Sequence, residues 1–188
     1  MQLKEAITNR KSVRRFLDKK PDWRKILKAL DYARFAPIAG GQFVLKFIVV
    51  NDKSKIEKIG DACQQDFVSQ SHCVVVVVSE DEKLKRFFDE RGERYARQQA
   101  GAAVENFILG LQEQGLSTTW VGHFVDEQIR SILKIPDNVF IDAIFPIGLE
   151  TKVKTKEKLK ADLDKIIYFD KWENKYMEPK TRVALEGV

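Results

Sequence analysis

The stretch "CVVVVV", residues 73–78, decides what kind of fold this chain can form. Five consecutive valines leave it without a polar face, and β-branched side chains favour a strand. A strand that is apolar on both sides has to be covered on both sides. We therefore expect this strand near the middle of a sheet, with helices packed on both faces.

Segments on either side of this strand alternate between helical and strand patterns. Strands are predicted in "FVLKFIVV" (43–50), "STTWV" (117–121) and "VFIDAIFPIG" (139–148). Helices are predicted in "QLKEAIT" (2–8), "DWRKILKALDYARF" (22–35), "KIEKIGDACQQDF" (55–67), residues 82–114 and "DEQIRSIL" (126–133). Two initial helices and a long tail interrupt a regular βαβ winding. The order therefore predicts an α+β fold of three layers, with helices on both sides of a sheet of about four strands.

Particular residues define several of these boundaries. Asp22 can cap the second helix, and Pro37 follows the end of it. The long helix is expected to break near Gly92, and Gly115 is expected to stop it. Trp120, in the third predicted strand, is expected to belong to the core.

Length and composition indicate one domain over 1–188, with 44% hydrophobic and 32% charged residues. The N-terminus lacks a signal-like apolar segment, and no apolar run is long enough to span a bilayer, so a cytoplasmic protein without a membrane partner is expected. Cys63, Cys73, His72 and His123 show no metal-ligand spacing, so we predict no metal site and two buried cysteines. The aliphatic strands do not favour nucleic-acid binding.

Motifs for side-chain catalysis or nucleotide binding are missing. The chain has no G-x-G-x-x-G after a strand, no P-loop, no G-x-S-x-G and no H-E-x-x-H. An enzyme with this sequence would therefore take its chemistry from an organic cofactor, and no catalytic side chain is predicted apart from a possible role for His123.

The N-terminal stretch "NRKSVRRF", residues 9–16 and below called the basic segment, surrounds one serine with four cations. Guanidinium forks, an ammonium group and a hydroxyl suit a phosphate ligand. A solvated basic turn is the alternative, and the residues by themselves leave both interpretations open.

The C-terminal tail is rich in large apolar side chains that need a surface to cover. They are Ile166, Ile167, Tyr168, Phe169, Trp172 and Tyr176. The tail either folds back on its own domain or wraps around a second copy.

Five segments, in order, resemble the nitroreductase family of flavoproteins. "AITNRKSVRRF" is similar to its R-[RH]-S-x-R-x-[FY] signature. The others are "ARFAPIAGGQFVLKFIVV" (33–50), "AAVENFILGLQEQGLSTTWVGHF" (102–124), "IPDNVFIDAIFPIGLE" (135–150) and "LKADLDKIIYFDKW" (159–172). The resemblance spans nearly the whole chain. It implies a nitroreductase-like fold with a mainly antiparallel sheet, in which a tail of about residues 164–188 is exchanged across a homodimer.

The same resemblance implies FMN as cofactor and names candidate ligands. Arg10, Lys11 and Ser12 would contact FMN, and Arg14 would serve the phosphate or the local fold. In the tail, Lys160 stands where the family often has a phosphate-binding arginine, and Lys158 is close enough to substitute.

For the flavin ring, the resemblance implies contacts from two chains. The backbone of Val121, Gly122 and His123 would lie along the ring near N5. The His123 imidazole would either donate to flavin or substrate, narrow the pocket, or point away in a structural role. Pro37, Ile38 and Ala39 would approach the same flavin from the partner subunit.

The implied activity is hydride transfer from NAD(P)H through flavin N5 to a quinone, a nitroaromatic or a similar small acceptor. Ile38, Gly41 and Phe43 replace polar family residues, although Gln42 fits the last position if the alignment slips by one. These departures support an alternative, an FMN-binding protein with little turnover that stores flavin or acts as a regulatory subunit. A basic nucleic-acid-binding domain is a third, weaker interpretation.

Overall fold

The computed structural model describes residues 1–151 and 160–177. The chain forms two compact units, Met1–Lys152 and Val153–Val188. The single domain predicted for 1–188 stays a prediction. No helix in the described ranges has the length and apolar character needed to cross a membrane.

The first unit alternates helices and strands as the sequence indicates. Its helices are α1 (Leu3–Asn9), α2 (Trp23–Ala33), α3 (Lys53–Cys63), α4 (Asp66–Ser69), α5 (Glu82–Phe88), α6 (Arg91–Glu113) and α7 (Asp126–Leu133). Its strands are β1 (Leu45–Val50), β2 (Cys73–Ser79), β3 (Ser117–Thr118) and β4 (Phe140–Gly148). The predicted α+β class is confirmed, and α7 has the bounds predicted for it.

The sheet has the order β1-β2-β4-β3, and each neighbouring pair is antiparallel. Every residue of β2 is buried, which confirms the central position predicted for the valine run. Val75 and Val77 face a core that includes residues of α2 and α6, whereas Val74 and Val76 face residues of α3 and α7. The valine run thus packs in both cores and joins the three layers.

Close contact between α2 and α6 depends on a small residue. A Cβ at Gly110 would lie 2.9 Å from Ala29 Cα and 2.7 Å from the Tyr32 ring. The small apolar run in the middle of α6 therefore lets the two helices approach closely. Asp22 caps α2 as predicted, because its carboxylate accepts from the Arg24 amide at 3.0 Å.

The helix predicted over 55–67 is present but interrupted, because the chain forms α3 and α4 instead of one continuous helix. Gln64 adopts a left-handed conformation with φ of 54° after the end of α3. A residue in that conformation ends the helix, and it lets the chain turn into α4.

The break predicted near Gly92 is present and lies three residues earlier in the chain. The chain leaves helical geometry at Asp89, with φ of 49°, while Gly92 lies inside α6. A Cβ at Gly92 would lie 2.5 Å from the Leu84 carbonyl carbon, so glycine is needed there for the close packing of α5 on α6. Gly115 has φ of 70° just beyond α6, as its predicted role as a stop requires.

Of the second unit, the structure describes residues 160–177, which contain α8 (Leu163–Ile166). The Tyr168 and Trp172 rings meet edge to face with centroids 4.8 Å apart, and Lys175 Nζ lies 4.2 Å from the Tyr168 ring centroid. Trp172 remains 78% exposed. The exchange of this tail between two protomers stays a prediction.

Candidate functional site

The basic segment lies as an extra extended chain beside β3. Ser12 pairs with Thr118 in a parallel bridge, and the Val13 amide donates to the Thr118 carbonyl at 2.9 Å. Further along, Phe16 pairs with Glu150, and its ring occupies the space above Gly148 that a Cβ would fill. Because Val13 is buried and Phe16 is half-buried, the packing of these two side chains holds the segment in place.

Two cations of the basic segment are paired with carboxylates from distant parts of the chain. Arg10 Nε lies 3.7 Å from Glu105 Oε1 on α6, and Lys11 Nζ lies 2.6 Å from Glu150 Oε1 after β4. All four side chains keep contact with solvent, and Ser12 is exposed. The segment is therefore not a freely solvated turn, and an anionic ligand would have to compete with Glu105 and Glu150.

Arg14 is directed away from Arg10. Its guanidinium lies over the Phe67 ring, 5.7 Å from the centroid, on the side of the sheet covered by α3, α4 and α7. Arg10 instead approaches α6, which covers the opposite face. Of the two roles predicted for Arg14, this placement favours the local fold.

Residues 119–123 continue along the same edge of the sheet. The strand predicted over 117–121 is shorter than expected, because β3 ends at Thr118 and only Val121 pairs again, with Ile144. The Val121 amide and carbonyl both bond to Ile144 at 3.0 Å, so they are not available to a ligand. In the described part of the chain, the Gly122 and His123 amides have no hydrogen-bond acceptor.

Trp120 is 46% exposed, so its predicted place in the core is wrong. Only part of its ring packs inward, edge to face on Phe145 with centroids 5.5 Å apart. Beside it, a Cβ placed on Gly122 would have Trp120 Nε1, at 4.0 Å, as its nearest neighbour. Thr119 Oγ1 is buried and has no hydrogen-bond partner among the described residues. This stretch therefore combines an open face, two unpaired amide donors and an unsatisfied hydroxyl.

The segment 37–42, below called the Gly-Gly loop, lies elsewhere. Pro37, Ile38 and Ala39 lead through a 3₁₀ turn at Ala39–Gly41 toward β1, which is the opposite edge of the sheet from β3. The structure of one chain thus does not place these three residues beside Ser12 and Gly122. A flavin contacted by both groups would have to lie between two chains.

The two candidate lysines of the tail belong to the second unit, and their contact with FMN stays a prediction. Lys160 is exposed at the beginning of the described part of the second unit, and Lys158 lies outside the described residues. Sequence reasoning missed Glu105, Glu150 and Thr119. No local pattern marks them, because their importance comes from what they meet in the folded chain.

A buried charge cluster joins α6 to the end of β2 and the start of β4. Arg97 Nη1 donates to Asp142 at 2.7 Å, and its Nη2 donates to Ser79 at 2.6 Å and also to Asp81. Burial raises the pKa of Asp142 to about 6, although the Arg97 charge acts in the opposite direction. Within residues 1–151 and 160–177, Arg97 Nε and Asp142 Oδ2 have no hydrogen-bond partner. This cluster involves none of the predicted site residues, and its contacts indicate a structural role.

The two cysteines are buried, as predicted. Burial raises the pKa of Cys63 and of Cys73 to about 12. Both thiols therefore stay protonated at neutral pH, which argues against a nucleophilic or redox role.

Comparison with known proteins identifies the family. The sequence profile of the nitroreductase family matches residues 7–69 and 61–149. A protein of Archaeoglobus fulgidus, provisionally named NADH dehydrogenase/NAD(P)H nitroreductase, is 28% identical over 148 residues, covering 77% of this chain and 83% of that protein. The chain belongs to the nitroreductase family.

Solved structures agree with this assignment. The crystal structure of a nitroreductase family protein from Clostridium novyi NT is similar with a TM-score of 0.75 and 30% identity, and the match covers 95% of this chain and 98% of that one. An FMN-dependent nitroreductase from Clostridium difficile has the same fold, with a TM-score of 0.75 at 24% identity over 90% of this chain and 100% of that one. The nitroreductase-like fold is thereby confirmed, and family membership supports an oxidoreductase role.

Proposed function

We propose that the protein is an FMN-dependent oxidoreductase that passes hydride from NAD(P)H to a quinone, a nitroaromatic or a similar small acceptor. The observation that carries this proposal is the arrangement along one edge of the sheet. The paired cations and Ser12 lie beside Thr118, and the open face at Gly122 follows four residues later. Four residues of extended chain span about 13 Å, a separation that suits the phosphate and the ring of one mononucleotide.

The residues at this edge fit FMN by their chemistry. Arg10, Lys11 and Ser12 would hold the phosphate and the ribityl chain of FMN. Arg10 and Lys11 would then give up their ion pairs with two carboxylates and bind the phosphate dianion instead. The unpaired amides of Gly122 and His123 would donate to acceptor atoms of the ring. FMN, when bound, supplies the hydride chemistry that no side chain of this protein supplies.

The His123 side chain is proposed to act directly on the flavin or on the acceptor. It is exposed, and its imidazole has no hydrogen-bond partner in the ranges that the structure describes. It can therefore donate to the flavin or to the acceptor without breaking an existing contact. A structural role that depends on a partner within its own chain finds no support in these contacts.

We also propose a homodimer with the flavin between its two chains. Leu3, Phe35 and Leu109 of α6 line a groove of about 490 Å³, and large apolar side chains are exposed on α1, α2 and the residues that follow. They include Leu3 at 70%, Trp23 at 52%, Leu27 at 48% and Phe35 at 68% exposure. Apolar surface of this extent indicates a protein interface. A second copy there would bring its Pro37, Ile38 and Ala39 to the flavin of the first, and the tail would add to the same interface.

A second function, flavin binding with little turnover, is favoured by the Gly-Gly loop. Ile38 is 45% exposed, and space around Gly41 is open, where the family has polar residues. Phe43 instead packs against the core, so its side chain leaves the loop without a polar group at that position. An apolar loop of this kind would hold flavin with fewer groups to orient an acceptor.

An absorbance spectrum of the purified protein, followed by anaerobic NADH or NADPH, separates these proposals. Bound FMN that bleaches within seconds and recovers on addition of a quinone supports the oxidoreductase. Bound FMN that keeps its colour supports storage. A colourless protein that takes up no added FMN contradicts both, and retention on nucleic acid would then favour the third interpretation. The cytoplasmic location stays a prediction.

A further inference from the structure

Gln99 of α6 connects the helix to the chain that follows the Gly-Gly loop. Its side chain is almost completely buried, with 3% of the residue exposed. Oε1 accepts a hydrogen bond from the Val44 amide at 2.9 Å, and Nε2 donates to the Gln42 carbonyl at 3.0 Å. Both ends of the amide are therefore used, on backbone groups that lie two residues apart.

The Gly-Gly loop is also supported from its other side. The Gln42 amide closes the turn on the Ala39 carbonyl at 3.0 Å, and Gly40 has φ of 56°. A Cβ at Gly40 would lie 3.0 Å from the Phe88 ring, which packs edge to face on Tyr95 of α6 with centroids 5.1 Å apart. The loop thus rests on an aromatic support and is tied down at its end by Gln99.

We propose that Gln99 is a positioning residue for flavin binding, which it serves by holding the Gly-Gly loop in the conformation that meets the partner's cofactor. This inference rests on the proposed function. It also explains why a polar side chain is buried at this point. Among side chains of this size and neutral charge, an amide has both the donor that the Gln42 carbonyl requires and the acceptor that the Val44 amide requires. An apolar residue would leave the Val44 amide unpaired in the core.

The test compares Gln99→Met with two controls. Methionine keeps much of the side-chain length but removes both hydrogen bonds. Gln98→Met makes the same replacement at an exposed position on the same helix. Ile129→Val removes one methyl group from the core that α3 and α7 form with the sheet. This variant therefore controls for a general loss of stability.

The first measurement is the FMN dissociation constant, obtained from flavin fluorescence at a temperature well below unfolding. We expect Gln99→Met to raise this constant about tenfold relative to both controls, the effect of roughly one to two neutral hydrogen bonds. Amide hydrogen exchange should also become faster at residues 38–44 in Gln99→Met, and in neither control. Equal FMN dissociation constants in all three variants would refute the positioning role.

Gln99→Glu keeps the inference testable if the methionine variant does not fold. A protonated carboxyl group can donate to Gln42 and accept from Val44, whereas an ionised one repels the Gln42 carbonyl. Relative to wild type at each pH, FMN binding by Gln99→Glu should be close to normal at low pH and weaker at high pH. A constant ratio across pH would count against the proposal. If the wild-type protein binds no FMN, the proposed function itself fails, which is a different result from normal FMN binding by the variants.

Discussion

Arg10→Ala tests the phosphate assignment, and the structure gives its expected magnitude. A hydrogen bond between a guanidinium and a phosphate contributes about 1.5–3 kcal/mol. In the structure without ligand, Arg10 Nε already lies 3.7 Å from Glu105, with 24% and 49% of the two side chains exposed. A pair exposed to this degree contributes about 0.5 kcal/mol, which FMN binding has to offset. The net loss is then about 1–2.5 kcal/mol, so the FMN dissociation constant should rise roughly 5- to 70-fold.

Removal of the competing carboxylate should change FMN affinity in the opposite direction. Glu105→Gln removes the partner of Arg10 without removing the arginine, so FMN should bind about twofold to fivefold more tightly. Arg15→Ala is the matched control, because Arg15 is exposed in the same segment and loses the same charge. We expect it to weaken binding less than about threefold, because an exposed charge away from the ligand is screened by salt.

FMN titration followed by fluorescence, at one fixed ionic strength, measures all three variants. The reasoning is refuted if Arg10→Ala and Arg15→Ala bind FMN equally well, because the effect would then come from total charge. It is also refuted if Glu105→Gln weakens binding, because that carboxylate would then act as a support for the ligand and not as a competitor.

Three further predictions concern the charge cluster and the tail. Arg97→Met should lower the free energy of unfolding by about 3–5 kcal/mol, because Asp81 and Asp142 lose their shared cation. A urea titration that shows a decrease of less than about 1 kcal/mol would contradict this prediction. Folding raises the pKa of Asp142 from 3.8 to about 6, so its stabilising contribution is present below 3.8 and is lost as the pH rises through 6. Wild type should therefore lose up to about 3 kcal/mol relative to Asp142→Asn between about pH 4 and pH 7, and parallel pH profiles would exclude this cause. Truncation before Asp170 should shift the dimer toward monomer in sedimentation velocity, whereas an unchanged dimer would indicate that the tail stays on its own chain.

The local sequence pattern was sufficient to predict an element wherever the residues of that element determine its conformation by themselves. The valine run predicts a central strand because no face of it tolerates water, and β2 is buried throughout. Asp22 predicts the start of α2 because its carboxylate can reach an amide two residues away. The order of the family-like segments predicts the nitroreductase fold, which the solved structures confirm. The anionic ligand suggested by the composition of the basic segment stays a prediction.

Only the tertiary structure decided which groups meet. Glu105 and Glu150 are distant in sequence from the cations they bind, and no periodicity connects them. The sequence predicts Trp120 in the core, yet its side chain is half-exposed, because β3 ends two residues before it. The break at Asp89 and the burial of Gln99 likewise follow from how α6 packs against its neighbours. The physical reason is that hydrophobic periodicity and caps act within a few residues, whereas ion pairs, close helix contacts and exposed faces depend on surfaces brought together by folding.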